Sequence, residues 1–224
     1  MLSFNTDKFD FWPIYETIKR FYPIGASQTN RRLFDSYPGN VELKNLVVEN
    51  IHDKISFESR WKKFDELLAI KTKCKTVGTT MGMAPSFSSF IEIEKINYDG
   101  LTRLKRIHYI VSLLGPFYTA IGDDLSIIKV DEQDIHRTNY LVASPFNEFA
   151  EAFEKICLEI ETRFNNYRFV PLIISKQTID GLDVGYTDDN ANTIFRALFN
   201  ITNFDIWTFG DECFKSDMWL RKDH

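Results

Sequence analysis

Phe87-Ser-Ser-Phe-Ile-Glu-Ile-Glu-Lys-Ile96, Asn97-Tyr-Asp-Gly100 and Arg103-Leu-Lys-Arg-Ile-His-Tyr-Ile-Val111 together decide the fold. Apolar and polar positions alternate through both runs, which are rich in β-branched and aromatic residues. The Asn-Tyr-Asp-Gly segment between them supplies turn formers. Gly115-Pro116 interrupts the next run, and Gly122-Asp123-Asp124 is expected to close it before Leu125-Ser-Ile-Ile-Lys-Val130. This is the pattern of an antiparallel meander, expected over residues 86–142.

Helical signals lie on either side. Phe11, Ile14, Ile18 and Phe21 recur at helical spacing, Pro13 is tolerable in a first turn, and Pro23-Ile-Gly25 ends the element. Asn40 is read as the cap of a second helix through Ile51. Ser56 is read as the cap of a third, with Phe57, Trp61, Phe64 and Leu68 on one stripe. Lys71, Lys73 and Lys75 suit the negative end of its dipole. Residues 76–85, with Gly78, Gly82 and Pro85, read as a loop. Beyond the meander, Ser144 is expected to cap a helix to about residue 165. Its apolar face would be Phe146, Phe149, Phe153, Ile156, Ile160 and Phe164. That stripe must be buried, and the sheet is its natural cover. Residues 167–224 read as a mixed region. Phe169–Ile174 is a short buried segment broken by Pro171, and Thr193–Phe199 fits either a strand or a helical turn. The expected class is therefore α+β in one domain over 1–224: a helical part about 8–75, the sheet, and the long helix packed on it.

Composition limits the function. The net charge is −5 and aromatics reach 15%, twenty of them Phe. The basic runs, Arg60/Lys62/Lys63 with Lys71/Lys73/Lys75 and Arg103/Lys105/Arg106, alternate with apolar residues like solvated faces, so nucleic acid is not an expected ligand. Cys74, Cys157 and Cys213 form no Cys-x-x-Cys pair, so neither a zinc knuckle nor a disulfide framework is indicated. The first residues lack a basic region followed by an apolar run, and no apolar stretch reaches the length of a membrane span. A cytoplasmic, membrane-free protein is expected.

Motifs of catalysis are missing. There is no His-Glu-x-x-His, no Gly-x-Ser-x-Gly elbow and no Walker lysine loop. The acidic stretch Asp180–Asn190 lacks the alternating oxygens and terminal Glu of a calcium loop, so no metal or cofactor is expected. One acid–base candidate stands out. His108 shares strand parity with Arg106, and beside Glu92 or Glu94 it could serve an enzyme or small-ligand pocket between sheet and helix.

Val111-Ser-Leu-Leu-Gly-Pro-Phe-Tyr-Thr-Ala-Ile-Gly122, together with Tyr167-Arg-Phe-Val-Pro171 through Ala197-Leu-Phe199, resembles immunity proteins that accompany bacterial polymorphic toxins. The resemblance implies a cytoplasmic, non-enzymatic inhibitor that binds one cognate toxin tightly. An acidic, aromatic-rich protein complements a basic toxin surface, with carboxylates steering the encounter and aromatic anchors supplying affinity. The candidate partner-binding residues are the loop carboxylates Asp123, Asp124, Asp188 and Asp189, with Tyr98, Tyr118 and Tyr186 as exposed anchors.

Overall fold

The computed structural model describes residues 8–26, 31–131, 133–184, 192–199 and 206–221. The architecture is α+β, with a mostly antiparallel sheet carrying helices on both faces.

Helix α1 spans Trp12–Phe21 with Pro13 in its first turn, where a missing N–H leaves no bond unmade. A short α2, Arg31–Ser36, precedes α3, Pro38–Val47. Asn40 does not cap α3. Tyr37 stands at that position with Pro38 first in the helix, and the buried Asn40 amide donates to the Phe34 carbonyl. Gly39 permits α3 to cross α1, since a Cβ there would lie 1.8 Å from the Arg20 carbonyl oxygen. A wide π-type turn, Val48–His52, ends α3. Helix α4, Lys54–Phe57, continues through a second wide turn, Glu58–Lys62, into α5, Lys63–Thr72. Its cap is Asp53, whose carboxylate accepts from the Ser56 N–H at 2.7 Å, so Ser56 is the capped residue and not the cap.

Residues 76–78 are not loop, and Lys75 lies beyond the helix it was read as ending. They form strand β1, Lys75–Gly78, along the outer edge of β2, Ser86–Tyr98. Strands β3, Leu101–Ser112, β4, Phe117–Val130, and β5, Gln133–Val142, complete the meander. One sequence expectation fails here: Gly122-Asp123-Asp124, read as closing a run, lies in the middle of β4. Gly122 is present for close approach. A Cβ there would sit 2.9 Å from Phe149 Cδ1 and from Val142 Cβ, so the missing side chain lets the Phe149 ring rest on the sheet.

The long helix is shorter than the aromatic spacing implies. Residues Asn147–Phe149 make a single 3₁₀ turn and α6 runs Ala150–Arg163. Ser144 does not cap it, because its hydroxyl accepts the Asp211 N–H at 2.8 Å. Strand β6, Arg168–Phe169, runs parallel to the start of β4, and α7 covers Leu172–Ser175. Of the two readings left open for 193–199, the helix is correct, as α8, Ile194–Phe199. Strand β7, Thr208–Phe209, pairs in parallel with Leu141 and Val142.

Both sheet faces carry a core. On one, the turn Glu58–Lys62, α5 and α6 bring Trp61, Phe64, Leu68, Phe153, Ile156, Cys157 and Ile160 onto Ile91, Ile107, Tyr109, Tyr118 and Val142. On the other, α1, α3 and α8 bring Ile14, Ile18, Phe21, Leu43, Phe195 and Leu198 onto Ile110, Ile121 and Leu141. The second face is therefore not left bare, as one helix over one face would have left it. Fully burying each such side chain is worth about 1.5–3 kcal/mol, so two cores bind the helices firmly. The far ends of both hairpins are mostly exposed past these cores, at Lys95–Tyr98 and again at Ile128–Asp131 and Gln133–Arg137.

Candidate docking face

Neighbouring residues of a strand point to opposite faces, so the adjacent carboxylates of β4 serve separate sites. Asp123 faces the α8 side, directly across β3 from Arg106. The guanidinium forks onto it with two bonds of 2.8 Å while lying 4.9 Å over the Phe90 ring. His108 Nε2 stands 3.5 Å from the same carboxylate. Burial alone would raise the Asp123 carboxyl, but hydrogen bonds from His108 and Arg106 outweigh it and hold the group below its ordinary value.

Asp124 faces the α6 side and is fully buried. Arg103 binds it at 2.7 and 2.9 Å, and the Asn139 amide donates at 2.6 Å. Burial again pushes the carboxyl up, and the Arg103 and Asn139 bonds bring it below the usual range. Beside it, Lys105 is held between Glu94 at 2.8 Å and Glu148 at 2.6 Å. The ammonium is largely covered, whereas both carboxylates remain half-exposed, so what this corner presents outward is negative.

The expected partner-binding set therefore divides. Asp123 and Asp124 are buried strand residues, a correction to their reading as loop carboxylates. Tyr118 is also buried, its hydroxyl donating to Glu161 while Lys215 pairs with the same carboxylate. Tyr98 is exposed, 59% of its surface being free at the tip of the β2–β3 hairpin. Asp188, Asp189 and Tyr186 lie outside the described residues. The alternative pocket is not assembled. Glu92 lies across from Arg106 on the α8 side and is bound by Lys75 at 2.9 Å. A bulge between Glu92 and Glu94 turns Glu94 to the α6 side. His108 consequently meets Asp123 and the Phe90 ring, neither glutamate being its partner.

A small cleft does open between sheet and helix, lined by residues that were not expected to form a site. It measures about 180 Å³ and is lined by Tyr140, Val142, Phe146, Glu148, Phe149 and Phe209. The Tyr140 ring meets Phe209 edge-on at 5.1 Å, and Phe146 stacks parallel to Phe209 at 6.2 Å. Phe146 leaves the expected helical stripe to do so, staying 38% exposed, and Phe209 is 44% exposed. Just before β7, Trp207 is 82% exposed, the most exposed large apolar side chain among the described residues. Its carbonyl accepts the Leu141 N–H at 2.8 Å, so the backbone that carries it is tied to the sheet. The short strand that gathers them was not legible in the sequence.

A second polar cluster is interior. The Asp65 carboxylate accepts from Ser89 at 2.7 Å and Tyr109 at 2.8 Å, and Trp61 donates to Ser89 at 3.0 Å. Burial pushes Asp65 up to about 6 despite those bonds, and burial likewise raises the Tyr109 hydroxyl. The thiols are ungrouped. Cys157 is buried and pushed up to about 12, Cys74 is half-buried and Cys213 exposed. Among the described residues no three His, Cys, Asp or Glu side chains are placed to hold a metal ion, and no helix is long and apolar enough to cross a membrane.

No protein-family model matches the chain, and neither the curated proteins nor the solved structures contain a match to it.

Proposed function

We propose that this chain is a non-enzymatic binding protein of the cytoplasm, an immunity protein that neutralises a cognate bacterial toxin by tight binding. The observation that carries the reading is the set of exposed aromatics Phe146, Trp207 and Phe209, the last two on backbone bonded to β5 and Phe146 stacked on Phe209, with the half-exposed Glu148 and Glu94 nearby. Exposed aromatics on a rigid support lose little freedom on binding and are the residues that dominate protein interfaces. The half-exposed carboxylates beside them favour a basic partner surface and speed its encounter. The charged groups on the sheet beside the patch are paired within the protein: Asp123 with Arg106, Asp124 with Arg103, and Lys105 with two glutamates.

Co-expression with the product of the adjacent gene tests this directly. The wild type is expected to rescue growth and to be recovered in complex with that product. Trp207→Ala combined with Phe209→Ala is expected to abolish both, at an unchanged melting temperature. Turnover of a substrate by the isolated protein, or full rescue by the double variant, would overturn the assignment.

A further inference from the structure

Among the described residues the outer side of β5 is an open edge. Strand β7 occupies it only at Leu141 and Val142, and among the described residues nothing pairs with the stretch Gln133–Asn139. Sheet edges invite pairing with another chain and are ordinarily blunted by lysine, proline, a bulge or a covering segment. Gln133–Thr138 has no lysine or proline, its charges Asp134 and Arg137 are of opposite sign, and its register irregularity comes only afterwards, where β5 passes Asp124 and Leu125. The residues Gln133–Arg137 are all exposed.

The backbone phase of this edge is fixed. The Lys129 N–H donates to the Gly100 carbonyl at 3.0 Å, so the main-chain groups of Lys129 turn toward β3. Its cross-strand mate Asp134 must then turn its own N–H and C=O away from β4, and His136 follows by alternation. Side-chain phase is fixed as well. Tyr98, Leu101, Ile128 and Ile135 pair in sequence across four strands, making one apolar row on the α6 side beyond the reach of the helices. Ile135 ends that row at the edge, half of its surface exposed.

We propose that two copies of this chain join edge to edge through β5, antiparallel, with Ile135 on the two-fold axis. A two-fold normal to the sheet keeps like faces together, so residues of equal parity must pair. Centred on Ile135, the register sets Asp134 against the second copy's His136 and Gln133 against its Arg137. Acid thus meets imidazole and amide meets guanidinium, while isoleucine meets isoleucine. Asp134 and His136 are the residues whose main-chain groups point outward, so each such pair exchanges both ladder bonds. The apolar row then runs unbroken from Tyr98 of one copy to Tyr98 of the other. The pairing fits between the turn at Asp131 and the β7-occupied Leu141. The next permitted register, centred on His136, would oppose two imidazoles and set Ile135 against Arg137. This dimer involves none of the side chains of the Phe146–Trp207–Phe209 patch and stands or falls apart from the toxin reading.

Sedimentation equilibrium over a concentration series is expected to give twice the 26.2 kDa chain mass at the upper end. His136→Pro removes an outward N–H while leaving the bonds to β4 intact, and should weaken association about tenfold or more at an unchanged melting temperature. In a Cys213→Ser background, Ile135→Cys should oxidise to a covalent dimer, because the axial pair is a close, non-hydrogen-bonded one. Arg137→Cys should not. A wild type that stays monomeric, a dimer indifferent to His136→Pro, or crosslinking at Arg137→Cys in place of Ile135→Cys would each overturn the proposal.

Discussion

Asp123 and Asp124 are adjacent in the chain and unrelated in space. A Gly-Asp-Asp run after an apolar stretch has the composition of a turn, and nothing local says otherwise. What keeps both carboxylates inside a strand is a pair of arginines from β3, Arg106 and Arg103, which become visible only once the register is known. His108 was placed correctly on the face of Arg106, but its partner came from β4 and not from β2. Asp65 was invisible for the same reason, since Ser89 and Tyr109 reach it from two different strands. Asp65 also makes stability depend on pH. Its folded value of about 6 stands above the reference 3.8, so the fold binds its proton more tightly than the unfolded chain does. Stability from this group is fully present below about pH 4 and is lost as pH rises through 6, by on the order of 2 kcal/mol. Asp123 and Asp124 are lowered, so their contribution runs the other way and is lost only as pH falls below about 4. Urea unfolding between pH 4 and 7 should show the Asp65 decline, and Asp65→Asn should flatten it.

At the scale of elements, periodicity located most of the helices and the long strands, because a stripe or an alternation is written in consecutive residues. It failed where an element owes its existence to a neighbour. Strand β1 has four residues and forms because β2 offers it an edge. The start of α6 was misread because Phe146 continues the aromatic spacing although it leaves the core to stack on Phe209. The two phenylalanines should therefore respond differently to truncation. Phe153→Ala removes a fully buried ring from α6 and is expected to cost about 3–5 kcal/mol. Phe146→Ala should cost under about 1 kcal/mol, the scale of a surface substitution. Chemical denaturation of both variants checks the pair, and equal losses would restore Phe146 to the buried stripe.

For the whole molecule, the α+β class and the helix-on-sheet contact were legible, whereas the doubly covered sheet was not. The second core draws on α1, α3, α8 and the C-terminal segment, and periodicity within any one of them cannot say that they share a face. Trp219 ties these parts together. Fully buried, it donates to the Phe169 carbonyl at 2.6 Å and stacks on Phe117 at 6.0 Å, and its own carbonyl accepts the Asp10 N–H. Trp219→Ala is expected to destabilise the protein by about 3–5 kcal/mol. Hydrogen exchange at the Asp10 amide should accelerate with it, and an unchanged Asp10 rate would show that the two ends hold independently.

The three thiols, graded from exposed Cys213 through half-buried Cys74 to Cys157 beneath α6, give the molecule an internal clock. An alkylating reagent can reach Cys213 in the closed protein. It reaches Cys157 only when α6 lifts from the sheet, and even then must wait for a proton to leave. The spread between the fastest and slowest modification therefore measures how often this helix opens, without any probe being added.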